Sequence, residues 1–225
     1  YCLWLKDILP SELKKYPKIM ERVKNVREFR LSCPSPDTNH YADKPTFPVR
    51  LRYYSEDRIN PALALPKVSS QNRRYIPMEV IDADVIAGSK LFLIPDISLY
   101  HFGVLTSNVH MAWMRTVCGR LKSDYSYASN VVYNTFPWPE PTAQQRQKIE
   151  QTAQAILDAR ALYPDSSLAD LYDELTMPPE LRKAHHQNDM AVMQAYGFTK
   201  GSEAYKSEAA CVAELMKLYQ KKVEE

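Results

Sequence analysis

The sequence predicts an α+β fold in two parts: a mixed strand and helix region over residues 1–140, followed by a small all-α region over 141–225. Three observations predict it. Before Pro139, short apolar runs broken by Pro, Asp and Gly surround one periodic stretch, Val109, Trp113, Val117 and Leu121 at steps of four. After Pro139, helix starts and stops follow one another closely: Thr142 with Gln145, Pro178 with Pro179, Gly197, then Ser202. The charge changes at the same place. Residues 1–142 hold 19 Lys+Arg against 14 Asp+Glu, a net +5, whereas 143–225 hold 10 against 13, a net −3. A modest basic excess in the first part permits a phosphate backbone as partner without requiring one.

Taken in order, residues 1–5 read as a strand. Ser11 and Pro17 frame a helix on which Ile19, Val23, Val26 and Phe29 share a face that belongs to a core. Lys18, Arg22, Lys24, Arg27 and Arg30 cover much of the rest, and a solvated basic face explains them better than a nucleic-acid contact. Residues 33–48, rich in Pro and small polar side chains, read as an irregular loop, and 49–54 as a half-buried strand. Over 63–82, Lys67, Ser69, Ser70, Arg73 and Arg74 cluster in a polar link between two short apolar strands. Cations and hydroxyls hold phosphate oxygens, so the link is a candidate backbone clamp; an ordinary charged hairpin accounts for it nearly as well.

Residues 91–94 and 98–105 both read as buried strands. Thr106 or Ser107 then caps a helix that Gly119 ends, and the octet RLKSDYSY (120–127) emerges from it. With charge, hydroxyls and two aromatics but no aliphatic residue after Leu121, the octet reads as a surface presented to something. In the second part, a capping box at Thr142 and Gln145 opens a helix to about Tyr163 with Ile149, Ala153, Ile156 and Arg160 at regular steps. A short helix follows from Leu168, a third runs from Pro178 and Pro179 to Gly197, and a fourth, capped by Ser202, runs nearly to Glu225.

Several chemistries are excluded by what the sequence lacks. A nucleotide-cradling loop needs clustered glycines, and the five here (Gly88, Gly103, Gly119, Gly197, Gly201) are never two residues apart. The Pro178 and Pro179 pair lacks the preceding Asn, Asp or Ser and the following aromatic that amino-methylating DNA enzymes use on their target base. The Pro-Asp pairs at Asp37, Asp96 and Asp165 are turns, with no (D/E)xK following at short range. His101 and His110 read as structural, and His185 and His186 as lying on a helix surface. Cys2, Cys33, Cys118 and Cys211 are too far apart for a zinc site or a disulfide framework, so a reducing cytoplasm is the expected setting. No run is long enough to cross a bilayer, so no membrane partner is expected. The chain does not begin with Met and reads as a piece of a longer polypeptide that catalyses nothing alone.

Three stretches carry a resemblance: PKVSSQNRRYIP (66–77), the whole of 99–139 from LYHFGVLTSNVHMAWM to NTFPWP, and LADLYDELTMPPELRKAH (168–185). They closely resemble the carboxy-terminal part of the MmeI-like, type IIL restriction-modification enzymes. In that family one polypeptide joins a nuclease, a SAM-dependent adenine-N6 methyltransferase, a target recognition domain and a helical tail. The resemblance implies that 1–140 is the DNA target recognition domain and 141–225 the helical C-terminal domain. It implies double-stranded DNA and the upstream methyltransferase domain of the same polypeptide as partners. It also implies no cofactor in this fragment, with SAM, and Mg for a fused nuclease, belonging to the parent protein.

The resemblance further places Lys122 and Asp124 on a pair of positions that jointly specify one base pair, and Ser126 on a further reading position with its companion at Lys90 or Leu91. The chemistry agrees: residues two apart in an extended segment face one side, Lys donates to guanine and Asp accepts from cytosine N4. Such a pair gives roughly 1–3 kcal/mol of discrimination. A surface ion pair, worth about 0–1 kcal/mol, is the bland alternative. Lys67, Ser69, Ser70, Arg73, Arg74, Arg120, Ser123 and Tyr125 are assigned to the DNA backbone, Tyr125 and Tyr127 to packing or sugar contacts. Phe136, Trp138 and the prolines form the hinge against the helical tail. The rival expectation is a protein-interaction or scaffold module with the helical tail as its docking element.

Overall fold

The computed structural model describes residues 3–5, 7–46 and 60–224; the strand expected at 49–54, and Tyr1 and Cys2 of the one expected at 1–5, lie outside them. The chain divides into two compact units, one of Tyr1–Asp57 with Ile86–Ser89, the other of Arg58–Val85 with Lys90–Glu225.

In the first unit three helices each begin at a proline, whose fixed φ suits the first helical position: α1 (Pro10–Leu13), α2 (Pro17–Ser32) and α3 (Pro36–Asn39). Leu3 to Leu5 form no strand. The expected core face of α2 is not buried, since Ile19 and Val23 are half-exposed and Val26 and Phe29 exposed. The buried residue of α2 is instead Arg30. Its Nη1 donates to the carbonyls of Tyr41 (3.1 Å) and Lys44 (2.6 Å), because the loop after α3 turns its carbonyls back onto the last turn of α2. A cation read as part of a solvated face therefore makes the tertiary contact.

The second unit holds two small antiparallel sheets that share one line of backbone. β1 (Ala62–Pro66) is the centre of the first, flanked by β3 (Glu79–Ile81) and β4 (Leu91–Pro95). Past Lys67 the same segment continues as β2 (Val68–Ser69), the edge of the second sheet, whose order is β2-β6-β5 with β5 (Gly119–Leu121) and β6 (Asp124–Ser126). The sheet registers set Pro66 opposite Leu91 and Val68 opposite Ser126.

Residues 98–105 are not a strand. They form α4 (Leu99–Leu105), because the Ser98 N–H donates to His101 Nδ1 (3.3 Å) and the His101 ring returns to start the helix. Only Gly at position 103 permits the packing: a Cβ there would stand 2.7 Å from Ile149 Cγ2 and 3.0 Å from Asn188 Oδ1. Asn188 Nδ2 donates to the Gly103 carbonyl at 2.7 Å, and Thr152 Oγ1 to Asn188 Oδ1 at 3.1 Å, so this buried amide is satisfied on both sides. α5 (Asn108–Val117) follows, with Ser107 Oγ accepting from His110 N at 3.4 Å. Of its apolar stripe, Val109 and Trp113 are buried, whereas Leu121 has left the helix and is exposed.

A π-helical turn (Ser129–Tyr133) leads to Phe136 and Trp138. α6 (Ala143–Ala161) opens on the expected Thr142–Gln145 box, and α7 (Leu168–Leu171) and α8 (Pro179–Ala195) follow as read. The last expected helix is two, α9 (Glu203–Lys206) and α10 (Glu208–Glu224). They break at extended Ser207, whose Oγ accepts from Ala210 N (3.1 Å) and starts a new helix, a local bond that competes with continuation. The 137–139 segment is held from the helical side by Tyr196 Oη donating to Pro137 O (2.8 Å) and Lys222 Nζ to Trp138 O (3.1 Å). Phe136 is buried edge-on to His110, with ring centroids 4.6 Å apart. Among the described residues no helix is long and apolar enough to cross a membrane, and no cluster of His, Cys, Asp and Glu could hold a metal ion.

Candidate nucleic-acid interface

Gly119 to Ser126 form a hairpin whose two-residue connection is Lys122 and Ser123. Lys122 has φ 57°, the left-handed region that favours glycine. A lysine held there is mild backbone strain at an exposed tip, a feature that concentrates at functional positions. The extended-segment argument for Lys122 and Asp124 therefore fails, because a turn separates them: Lys122 lies at the tip and Asp124 opens the return strand opposite Leu121. The pleat rule applies one step later. Asp124 and Ser126, two apart on β6, share one face, while Tyr125 between them points the other way and is 7% exposed.

The 67–74 segment is built onto this hairpin. The Lys67 N–H donates to Lys90 O and its carbonyl accepts from Tyr127 N, both at 2.9 Å, so Lys67, Lys90 and the end of β6 share one junction. Lys67 Nζ stands 4.8 Å from the centre of the Phe92 ring. At the turn beyond β2, the Gln71 N–H donates to Asp124 Oδ1 at 3.4 Å, while Ser70 Oγ accepts from Asn72 N (3.3 Å) and Ser70 O from Arg73 N (3.2 Å). One face of the small sheet thus brings Asp124 and Ser126 beside Val68, with Lys90 and Lys67 at its edge. Leu91 is half-buried in β4 opposite Pro66.

Four of the expected backbone contacts have other duties. Ser69 is 3% exposed with its hydroxyl buried, which removes it from the surface. Tyr125 is covered by its cross-strand neighbour Arg120, whose guanidinium is 4.2 Å from the ring centre and whose Nη1 donates to Ser123 O (3.1 Å). Arg120 therefore stands on the face opposite Asp124 and Ser126. Arg74 lies 5.7 Å from the Tyr75 ring, and the Tyr75 hydroxyl with the carboxylates of Asp189 and Glu174 favours its charged form. Arg73, Ser70, Ser123, Lys90, Lys122 and Arg120 keep some or full exposure.

Behind the hairpin, Tyr127 is buried with its hydroxyl 3.0 Å from His110 Nε2. Burial pushes the His110 pKa down to about 3 and the Tyr127 pKa upward, so both stay neutral. His110 is structural, as expected. His185 is not on a surface: it is buried, stacked on Tyr75 with centroids 4.2 Å apart, and 2.7 Å from Tyr172 Oη, while His186 is exposed. No local pattern announces Gln71 as a partner of Asp124, or Tyr75 and Asp189 lying together.

Two small sheets fused along one strand, an exposed polar hairpin and a helical region packed behind them define a known class. The chain belongs to the MmeI family: residues 1–140 match the model described as MmeI, target recognition domain, and 141–225 that of MmeI, C-terminal domain. Among individual proteins it is similar to DNA methyltransferase A of Bacillus subtilis (strain 168), 37% identical over 224 residues, covering 100% of this chain and 24% of that protein. It also superposes with a TM-score of 0.89 and 41% identity on the type IIL restriction-modification enzyme MmeI in complex with DNA, covering 100% of this chain and 29% of that one. The chain thus spans only about a quarter of the length of these relatives.

Proposed function

We propose that this chain is the sequence-reading part of a DNA adenine-N6 methyltransferase of the restriction-modification type, gripping duplex DNA while a catalytic region outside it methylates a flipped adenine. The observation that carries the reading is the hairpin tip. It presents a donor, Lys122, next to an acceptor, Asp124, with the Ser126 hydroxyl on the acceptor's own face. Lys122 donates to guanine O6 or N7 and Asp124 accepts from cytosine N4; proximity across a turn, not the pleat, lets them reach one base pair. Lys67 and Lys90 flank that face; Arg73 and the Ser70 and Ser123 hydroxyls are offered to phosphates, while Arg120 braces the hairpin from its other face. Leu91, half-buried in its strand, supports the Lys90 position more than it reads a base.

SAM would supply the methyl group, and its site lies outside these residues. No two glycines cluster here, and the close-packed Gly103 faces Ile149, Asn188 and Ala153 and leaves no cradle. The scaffold alternative has less behind it: of the large exposed apolar side chains of the helical region, Leu162, Leu175, Leu218 and Val223, only the last two share an element, α10, where a spacing of five residues turns them to different faces.

The test exchanges Lys122 and Asp124 for a different charged pair in the full-length polypeptide and sequences the modified adenines in host DNA. One base pair of the methylated site should change while the others stay. A variant that methylates the same site unchanged at every position contradicts the assignment.

A further inference from the structure

Asp189, in the middle of α8 and 2% exposed, is a buried carboxylate bonded on both oxygens. Its Oδ1 accepts from the backbone N–H of Asn108, the first residue of α5, at 2.7 Å, and its Oδ2 from Tyr75 Oη at 2.6 Å. Both partners belong to the region before residue 140, and each begins a path to the hairpin. Through Tyr75, Asp189 holds the end of the 70–75 turn, whose Gln71 N–H meets Asp124. Through Asn108 it holds the start of α5, where His110 meets Tyr127 just past β6, and where the far end runs into β5. A carboxylate at a helix N-terminus is favoured by the helix dipole as well as by the bond itself.

We infer that Asp189 is a positioning residue: from the helical region it fixes the 70–75 turn and α5 relative to each other, and so the orientation of Asp124 and the hairpin that reads the base pair. This rests on the DNA-reading proposal above. Burial pushes its pKa up to about 6, against the two hydrogen bonds and the nearby charges of Arg74 and His186; these groups together keep a costly buried carboxylate charged near neutrality. A buried charge so fully engaged is expected where geometry matters more than stability.

The test uses the full-length polypeptide with Asp189→Asn, which keeps the shape and removes the charge, and Tyr75→Phe, which removes one donor and keeps the ring. Hydrogen exchange without DNA is the first readout. Both variants should speed exchange in 119–126 by at least tenfold, and the double variant should show less than the product of the two effects. The second readout is binding to the methylated duplex against duplexes changed at one base pair and against random duplex. Discrimination should fall at least tenfold, with affinity for random duplex and its salt slope within twofold of wild type. Faster exchange confined to 71–76 and 186–192, with 119–126 unchanged in both variants, overturns the inference. If Asp189→Asn loosens the whole molecule, Tyr75→Phe alone decides. If the wild-type protein does not discriminate between duplexes, the DNA reading fails, and the exchange comparison still decides the positioning role.

Discussion

A lysine at φ 57° pulls stability and function in opposite directions at one residue. Lys122→Gly should relieve about 1 kcal/mol of backbone strain and raise the melting temperature, while relaxing the methylated site at one base pair. A lower melting temperature would show that the turn is not strained there. Gly103 is the reverse case. Gly103→Ala gains about 1 kcal/mol of helix propensity but forces a methyl onto Ile149 Cγ2, and overpacking of about 1–3 kcal/mol should win in denaturant melts. Stability equal to wild type would mean that α6 yields easily. At this scale the sequence was legible where chemistry is local. Exposed Lys122 and half-buried Asp124 could be picked out of the octet, but burial of Ser69 and His185 depends on partners far along the chain. His185 looked like a surface residue because its neighbour His186 is one, and a helix turns 100° between them.

At the level of elements, the helix carrying the hairpin is the sensitive one. Ser107→Ala removes both the cap on His110 N and the bond from Ser107 Oγ to Val104 O (2.7 Å), and should cost about 1–2 kcal/mol. Chemical denaturation checks it; a cost below about 0.5 kcal/mol would mean that the cap is replaceable. The sequence read α5, α6 and α8 with their start signals, because Ser107, Thr142 and the Pro178 and Pro179 pair act over three or four residues, and α7 without its Ser167 cap. It misread α4 as a strand, since an apolar run of seven residues fits either structure and the start signal came from His101 rather than Glu or Gln. The hairpin at 119–126 was read as a single extended segment because nothing at Lys122 and Ser123 resembles the Asn-Gly or Asp-Gly of common two-residue turns.

For the whole molecule, acid response follows from its buried groups. His110 and His185 are held neutral chiefly by burial, with pKa values below their unfolded one, so the unfolded chain takes up protons first as pH drops through about 6.5. Each then costs stability; for His110 the loss is on the order of 2 kcal/mol between pH 7 and pH 5. Asp189 acts with the opposite sign: its folded pKa of about 6 lies above the unfolded 3.8, so the folded state takes up the proton first and gains stability as pH falls between those values. Two imidazoles outweigh one carboxyl, so thermal stability should fall from pH 7.5 to pH 5, and fall more steeply in Asp189→Asn. An identical slope in both proteins would remove Asp189 as a titrating group. The two-part α+β organisation was legible from punctuation and charge. The division into compact units was not, since Arg58–Val85 joins the helical region through contacts such as Arg160 Nη1 to Met78 O (2.8 Å), which no local pattern announces. The most direct measurement of where DNA is read is hydrogen exchange on the full-length protein with and without its methylated duplex. Protection should rise in 119–127 and 67–74 and weaken steeply with salt, log affinity falling by about 0.9 per phosphate contact for each decade. A duplex that binds and protects other segments while these two stay unchanged would contradict the account.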